Sequence, residues 1–205
     1  MIALPEAVED VVAVENKELQ VKRLEGREKE TSQELYREIF PEDSEVFVEY
    51  YYQYKAVENE IYGVMDKEGT LLSMLHLNPY QINLGGKTVQ SQYIVAVATK
   101  KEYRHRGLMS RLIQYSLREM YERKEPFAFL MPAAEAIYLP FDFRFIYWQN
   151  QYELKTDRAE KCTGLGLRPA TKQDLAELSR WAQKRLQEDY RTYALHTETY
   201  FRQLL

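Results

Sequence analysis

The sequence predicts an α/β domain, and two stretches carry that prediction. Residues 60–99 hold three strand-like runs in succession, the last two joined by Gly85-Gly86. Residues 87–131 then alternate strand, amphipathic helix and strand, a β-α-β unit for which a right-handed crossover is expected.

Taken in order, Leu19, Val21 and Leu24 suggest a short strand. Helical spacing follows over 27–40, with Leu35, Ile39 and Phe40 on one face, and Pro41 stops it. Ser44 caps a second helix whose apolar side is Val46, Phe47, Tyr50, Tyr51 and Tyr54. Glu60 to Met65 and Thr70 to Ile82 read as strands, and Gly85-Gly86 turns the second of these into a third, Lys87 to Thr99. Strict alternation in that third run sets Tyr93, Val95 and Val97 on one face and Ile94, Ala96 and Ala98 on the other. Both sets are apolar, so the strand is expected to be central and covered on both sides. Leu108, Met109, Leu112, Ile113, Ser116, Leu117, Met120 and Tyr121 form the stripe of a helix packed on the sheet. Pro126 to Met131 is a short strand parallel to the third run. A helix over Ala133 to Leu139 and a strand-like stretch from Arg144 to Leu154 follow.

Residues 156–166 are linker-like, and the pattern then restarts. Leu167 to Ala170 is a strand candidate, and Thr171 with Asp174 forms a shortened capping box. Leu175, Leu178, Trp181 and Leu186 mark a helix, and a second helix is expected to reach Tyr200-Phe201. This repeats the strand–helix–helix order of residues 19–55. The expected organisation is an extension over 1–18, one domain over 19–157, a linker over 158–166, and the start of a second, similar domain over 167–205, cut short at Leu205. Two unrelated helical segments are the alternative.

Lys and Arg total 28 against 32 Asp and Glu, a net charge of −4, which argues against nucleic acid as a partner. Cys162 is the one cysteine, so no disulfide framework is expected. His76, His105 and His196 are scattered, and no metal is expected. The first twenty residues do not read as a secretory signal, and no run approaches the ~18 apolar residues of a membrane span. A cytoplasmic protein without membrane attachment is the expectation; a homo-oligomer is compatible with it.

The most informative residues are Arg104-His105-Arg106-Gly107-Leu108-Met109-Ser110, at the junction of the third strand and the amphipathic helix. The first N–H groups of a helix and the positive end of its dipole favour an anion there. Gly107 allows close approach, and Lys100, Lys101, Arg104 and Arg106 surround the turn with positive charge. By spacing alone, a solvated basic turn explains the pattern equally well. There is no G-x-G-x-x-G and no P-loop.

Val95 to Thr99, the loop with Arg104-x-x-Gly107, and the helix after it together resemble the acetyl-CoA motif of the GNAT superfamily of N-acetyltransferases, [Q/R]-x-x-G-x-[G/A]. Met109 stands at the last, usually small, position. Glu135-Ala136-Ile137-Tyr138-Leu139-Pro140-Phe141-Asp142-Phe143 resembles the family's E-x-x-Y-x-x-F-G-[F/Y], with Asp142 in place of glycine. Asp tolerates a left-handed backbone better than most residues, so the turn is expected to survive. The two motifs together look closest to the Eis-like branch, in which two GNAT domains are fused.

The resemblance implies the GNAT fold, a mixed and mostly antiparallel sheet with flanking helices, and acetyl-CoA as cosubstrate. It implies that backbone groups of the Val97-Ala98-Thr99 segment meet the pantetheine arm and the oxyanion. Arg104, His105, Arg106, Gly107, Leu108 and Met109 would then hold the pyrophosphate. A primary amine of a small molecule or peptide would attack the thioester directly. Tyr138 matches the position of the general acid; a phenol of ordinary pKa, about 10, serves a thiolate of about 8.5 only at close range. No general base is identified. Glu42, Asp43 and Glu45 could meet a cationic amine, or could be an ordinary solvated helix start. A catalytically weak acyl-CoA-binding sensor is the alternative function.

Overall fold

The computed structural model describes residues 19–146, 153 and 168–205. The chain forms two compact units. One runs to Ala133 and takes back Arg191–Ala194; the other holds Ala134–Tyr190 and Leu195–Leu205.

The first unit is built on a sheet of β1 (Gln20–Leu24), β2 (Glu60–Met65), β3 (Leu71–Leu84), β4 (Lys87–Thr99) and β5 (Ala128–Phe129), in that spatial order. β1 to β4 pair antiparallel and β5 joins β4 in parallel, as the β-α-β reading requires. The β3–β4 turn is a two-residue loop in which Gly85 and Gly86 have φ of +57° and +92°. Positive φ at both positions matches the twist of the flanking strands.

Helices α1 (Glu28–Ile39) and α2 (Glu45–Tyr50) cover one face of the sheet, and α2 continues through a π-helical turn, Tyr51–Lys55. Pro41 follows α1, and the Ser44 hydroxyl accepts the Phe47 N–H at 3.3 Å to start α2. Leu35, Tyr36, Val48, Tyr51 and Ala56 from these helices pack with Leu24, Ile61, Met65, Leu71, Met74, Ala96 and Ala98 of the strands. Gly63 sits under this layer because a Cβ there would fall 2.5 Å from a Leu71 methyl. On the other face lies α3 (Leu108–Glu122), with Leu108, Leu112, Ile113, Ser116 and Met120 buried and Tyr115 against Tyr62.

Two polar devices stabilise the α1–α2 layer. Lys29 of α1 donates from Nζ to the carbonyls of Ala56, Val57 and Asn59 at 3.3, 3.2 and 2.7 Å, satisfying acceptors that the end of the helical segment leaves free. Below it, the Asn59 amide donates to Tyr51 Oη at 3.0 Å, and Tyr51 Oη lies 2.9 Å from His76 Nδ1. His76 is fully buried, and burial pushes its pKa down to about 3.

β4 departs from simple alternation. His76 pairs with Val95 and Met74 with Ala98, so two residues, Ala96 and Val97, stand opposite Leu75 alone. Ala96 takes the left-handed conformation, φ +51°. This β-bulge reverses the phase of the strand, and Val95 and Ala98 both join the α1–α2 core. The expected division into a 93/95/97 face and a 94/96/98 face therefore fails at Ala96. Nothing in the composition of the run signals the extra residue.

The second unit holds α4 (Glu135–Tyr138), which runs on into a 3₁₀ turn, Leu139–Phe141. Asp142 then has φ +64° and ψ +18°, the left-handed turn expected where the motif has glycine. The Thr171–Asp174 capping box is present: the Gln173 N–H meets Thr171 Oγ1, and the Thr171 N–H meets Asp174 Oδ2 at 2.7 Å. It leads into α5 (Leu175–Asp189).

One expectation for the region after 167 is corrected. Residues 168–170 form no strand: Arg168 grips both Asp174 carboxylate oxygens, at 2.6 and 2.7 Å, and Pro169 has no N–H to give a ladder. The two expected helices are present, the second containing Tyr200 and Phe201, with an unexpected strand between them. The chain after α5 forms β6 (Thr192–Ala194), which pairs with Ile82–Leu84 of β3 in the first unit, and then α6 (Glu198–Leu204), capped by Thr197. β6 takes the edge of β3 beyond the reach of β2, whose pairing stops at Leu77. The readings for residues 1–18, for the linker, and for most of the Arg144–Leu154 stretch fall outside the described residues; Arg144 to Ile146 form no strand. No helix among the described residues is long and apolar enough to cross a membrane.

Because the folded state resists protonating His76 while the unfolded chain takes up a proton near pH 6.5, the His76 contribution to stability is lost as pH falls below about 6.5. The loss continues down to about 3. Urea unfolding at pH 7, 6, 5 and 4 is expected to show the wild type losing up to about 1.4 kcal/mol per pH unit more than His76→Gln over the acid range.

Candidate active site

The first unit opens at the C-terminal end of β4. β5 pairs with β4 only at Gln92–Ala128 and Tyr93–Phe129. Ser91 Oγ donates to the Phe127 carbonyl at 2.8 Å and fixes where the two strands meet. From Ile94 to Thr99, the edge of β4 facing away from β3 has no strand partner among the described residues. The bulge lies within this segment, which includes Val97, Ala98 and Thr99. Backbone groups on such an edge can pair with an extended ligand carrying amides of its own.

The strand runs into a 3₁₀ turn, Lys101–Tyr103, and then into the basic loop. Arg104 is extended, His105 has φ +63°, and Gly107 has φ +77°. Two left-handed residues flanking Arg106 curl the backbone so that successive N–H groups line a concavity suited to an anion. Gly107 is the N-cap of α3 and brings no side chain to the cap position. The first intrahelical bond shown there is Arg111 N–H to the Gly107 carbonyl at 3.1 Å, so the N–H groups of Leu108, Met109 and Ser110 precede it. The Leu108 side chain is buried beneath the sheet-facing side of α3, and Met109 is half-buried.

The loop's cations do not all point alike. Arg104 Nε donates to the Thr99 carbonyl at 3.2 Å, tying the loop back to the strand end. The Arg106 guanidinium lies over the Tyr103 ring, 5.1 Å from its centroid. Lys100 N–H donates to the Leu72 carbonyl at 2.9 Å. The structure therefore brings Val97, Ala98, Thr99 and Arg104 to Met109 together at one end of the sheet. Tyr138 belongs to the second unit, half-buried at the end of α4, with its ring edge-on to Phe143 at 6.0 Å. Among the described residues no group of three His, Cys, Asp or Glu side chains could hold a metal ion.

Sequence reasoning missed two contributors to this end of the sheet. Ala96 carries the bulge, where a glycine would have signalled a left-handed residue. Ser73 of β3 is completely buried beside Thr99. One serine in an apolar strand carries no pattern that marks it.

A sheet splayed beside an open helix N-terminus defines a class of acyl-CoA-dependent transferase folds, and the comparisons agree. A family model described as an acetyltransferase (GNAT) domain matches residues 20–146. The chain belongs to the GNAT acetyltransferase family, whose members use acetyl-CoA as cosubstrate. An uncharacterized N-acetyltransferase of Streptomyces griseus is 36% identical over 76 residues, 37% of this chain and 18% of that protein. The match thus spans under a fifth of that relative's length. A probable N-acyltransferase of unknown function from Enterococcus faecalis superposes with a TM-score of 0.55 at 22% identity, covering 60% of this chain and 31% of that one. A GNAT-family N-acetyltransferase of Escherichia coli, solved in complex with CoA, gives 0.53 at 17% identity, covering 62% and 69%.

A Cβ added at Gly107 meets nothing within 4 Å, so Gly107→Ala pays only for its backbone conformation. It is expected to lower stability by about 1–2 kcal/mol in urea melts. Gly107→Asn, a residue that enters the left-handed region more readily, is expected to lose less.

Proposed function

We propose that this chain is an N-acetyltransferase that moves an acetyl group from acetyl-CoA to a primary amine of a small molecule or peptide within a ternary complex. The observation that carries the reading is the β4 edge from Ile94 to Thr99, without a strand partner among the described residues, leading through the basic loop to the open N-terminus of α3. The edge suits the amides of the pantetheine arm. The N–H groups from His105 to Met109, with the helix dipole behind them, suit the pyrophosphate.

In the reaction, the neutral amine nitrogen bonds to the thioester carbonyl carbon. A backbone N–H of the Val97–Thr99 segment stabilises the resulting oxyanion. The C–S bond then breaks, the acetyl group stays on nitrogen, and the CoA thiolate takes a proton from Tyr138. The proton lost from the amine passes to solvent water. The motif over Glu135–Phe143, with its left-handed Asp142, supports the Tyr138 role and the Eis-like affiliation. On that affiliation, 167–205 would belong to a second domain of the same kind.

Isothermal titration with acetyl-CoA and thiol release over a panel of polyamines, aminoglycosides, lysine and N-terminal peptides tests the reading. Binding with turnover of at least one amine is expected; binding without turnover of any amine would leave an acyl-CoA sensor instead. Tyr138→Phe is expected to lower kcat about 100-fold with little change in acetyl-CoA affinity, in the range of general acid catalysis. An unchanged kcat removes Tyr138 from the mechanism.

A further inference from the structure

We infer that Ser73 is a positioning residue for acetyl-CoA, acting through Thr99 and Arg104; the inference rests on the acetyl-CoA site proposed above. Past the bulge, only Met74–Ala98 and Ser73–Thr99 pair β4 with β3, and no described strand supports the other edge. The end of β4 thus has little backbone ladder to define it, yet the loop takes its position from there.

Ser73 supplies what the ladder lacks. It is completely buried, so it cannot touch a ligand. Its hydroxyl donates to the Ala98 carbonyl at 2.9 Å and lies 2.8 Å from Thr99 Oγ1. With its own proton committed to Ala98, Ser73 Oγ accepts from the Thr99 hydroxyl, which fixes the Thr99 rotamer. The Thr99 carbonyl in turn accepts Arg104 Nε at 3.2 Å, and the neighbouring Lys100 N–H is held by Leu72. A continuous chain of bonds therefore runs from the buried face of β3 to the first residue of the anion loop. In this chain Arg104 serves as a clasp as well as a positive charge.

Loss of the clasp leaves the loop's N–H groups in place chemically but free to sample other orientations, a cost paid on binding. Ser73→Ala is expected to raise the KM for acetyl-CoA about 5- to 10-fold, with a much smaller effect on kcat. In the ligand-free protein it is expected to speed hydrogen exchange of the amides from Thr99 to Gly107 while leaving β2 unchanged. Thr99→Val keeps the side-chain shape and should do the same, and the double variant should be no worse than the poorer single one, since both break one chain of bonds. Arg104→Lys keeps the charge but loses the Nε donor, and should reproduce most of the effect. If Ser73→Ala does not fold, Thr99→Val and Arg104→Lys carry the test. Unchanged KM and unchanged exchange in these variants, with a wild type that binds acetyl-CoA normally, would overturn the role of Ser73 alone. A wild type that does not bind acetyl-CoA overturns the site assignment itself, and the titration shows this before any variant is made.

Discussion

Between the His76–Val95 and Met74–Ala98 pairs, β4 spends two residues where β3 spends one, and much of the first unit follows from that mismatch. A pleated strand alternates its side chains with period two, so an extra residue must reverse the phase and bend the strand. The reversal brings Val95, Ala96 and Ala98 to the same apolar layer under α1 and α2. The cost is a left-handed alanine, of the order of 1–2 kcal/mol, held in place by near-complete burial. Among the described residues, β4 is also left without a strand partner on its outer edge just where it bends.

The bulge puts polar backbone at the mouth of the sheet, and buried side chains organise the region around it. Ser73 satisfies the Ala98 carbonyl and fixes Thr99. One register pair before the bulge, His76 is locked to Tyr51 and, through it, to Asn59. These groups are expensive to bury and are tolerated because their hydrogen bonds define one arrangement of strand against helix. Lys29 does comparable work at the end of the π-helical turn, where one ammonium serves three carbonyls.

Much of the fold was legible because its elements have strong periodic or terminal signals. The stripe from Leu108 to Met120, the Gly85-Gly86 turn, Pro41 after the first helix and Ser44 before the second all act locally, and the structure follows each of them. The Thr171–Asp174 capping box was readable for the same reason. The strand expected at 167–170 failed because an extended apolar–basic run resembles a strand, whereas Arg168 had a nearer partner in Asp174. β6 went unread between the two expected helices. Three residues are too few for a period, and their pairing depends on an edge of β3 more than a hundred residues away.

The sequence by itself determined the family, the place of the basic loop at a strand–helix junction, and the left-handed turn at Asp142, since each depends on residue types within a few positions of one another. Only the tertiary structure decided that β4 carries a bulge, that no described strand pairs with its outer edge from Ile94 to Thr99, and that Ser73 and Arg104 tie that edge to the loop. The reason is physical: a strand's register and the partner a buried hydroxyl finds are set by the neighbouring strand. For Ser73 and Thr99 that neighbour lies across the sheet, beyond the range of any local pattern.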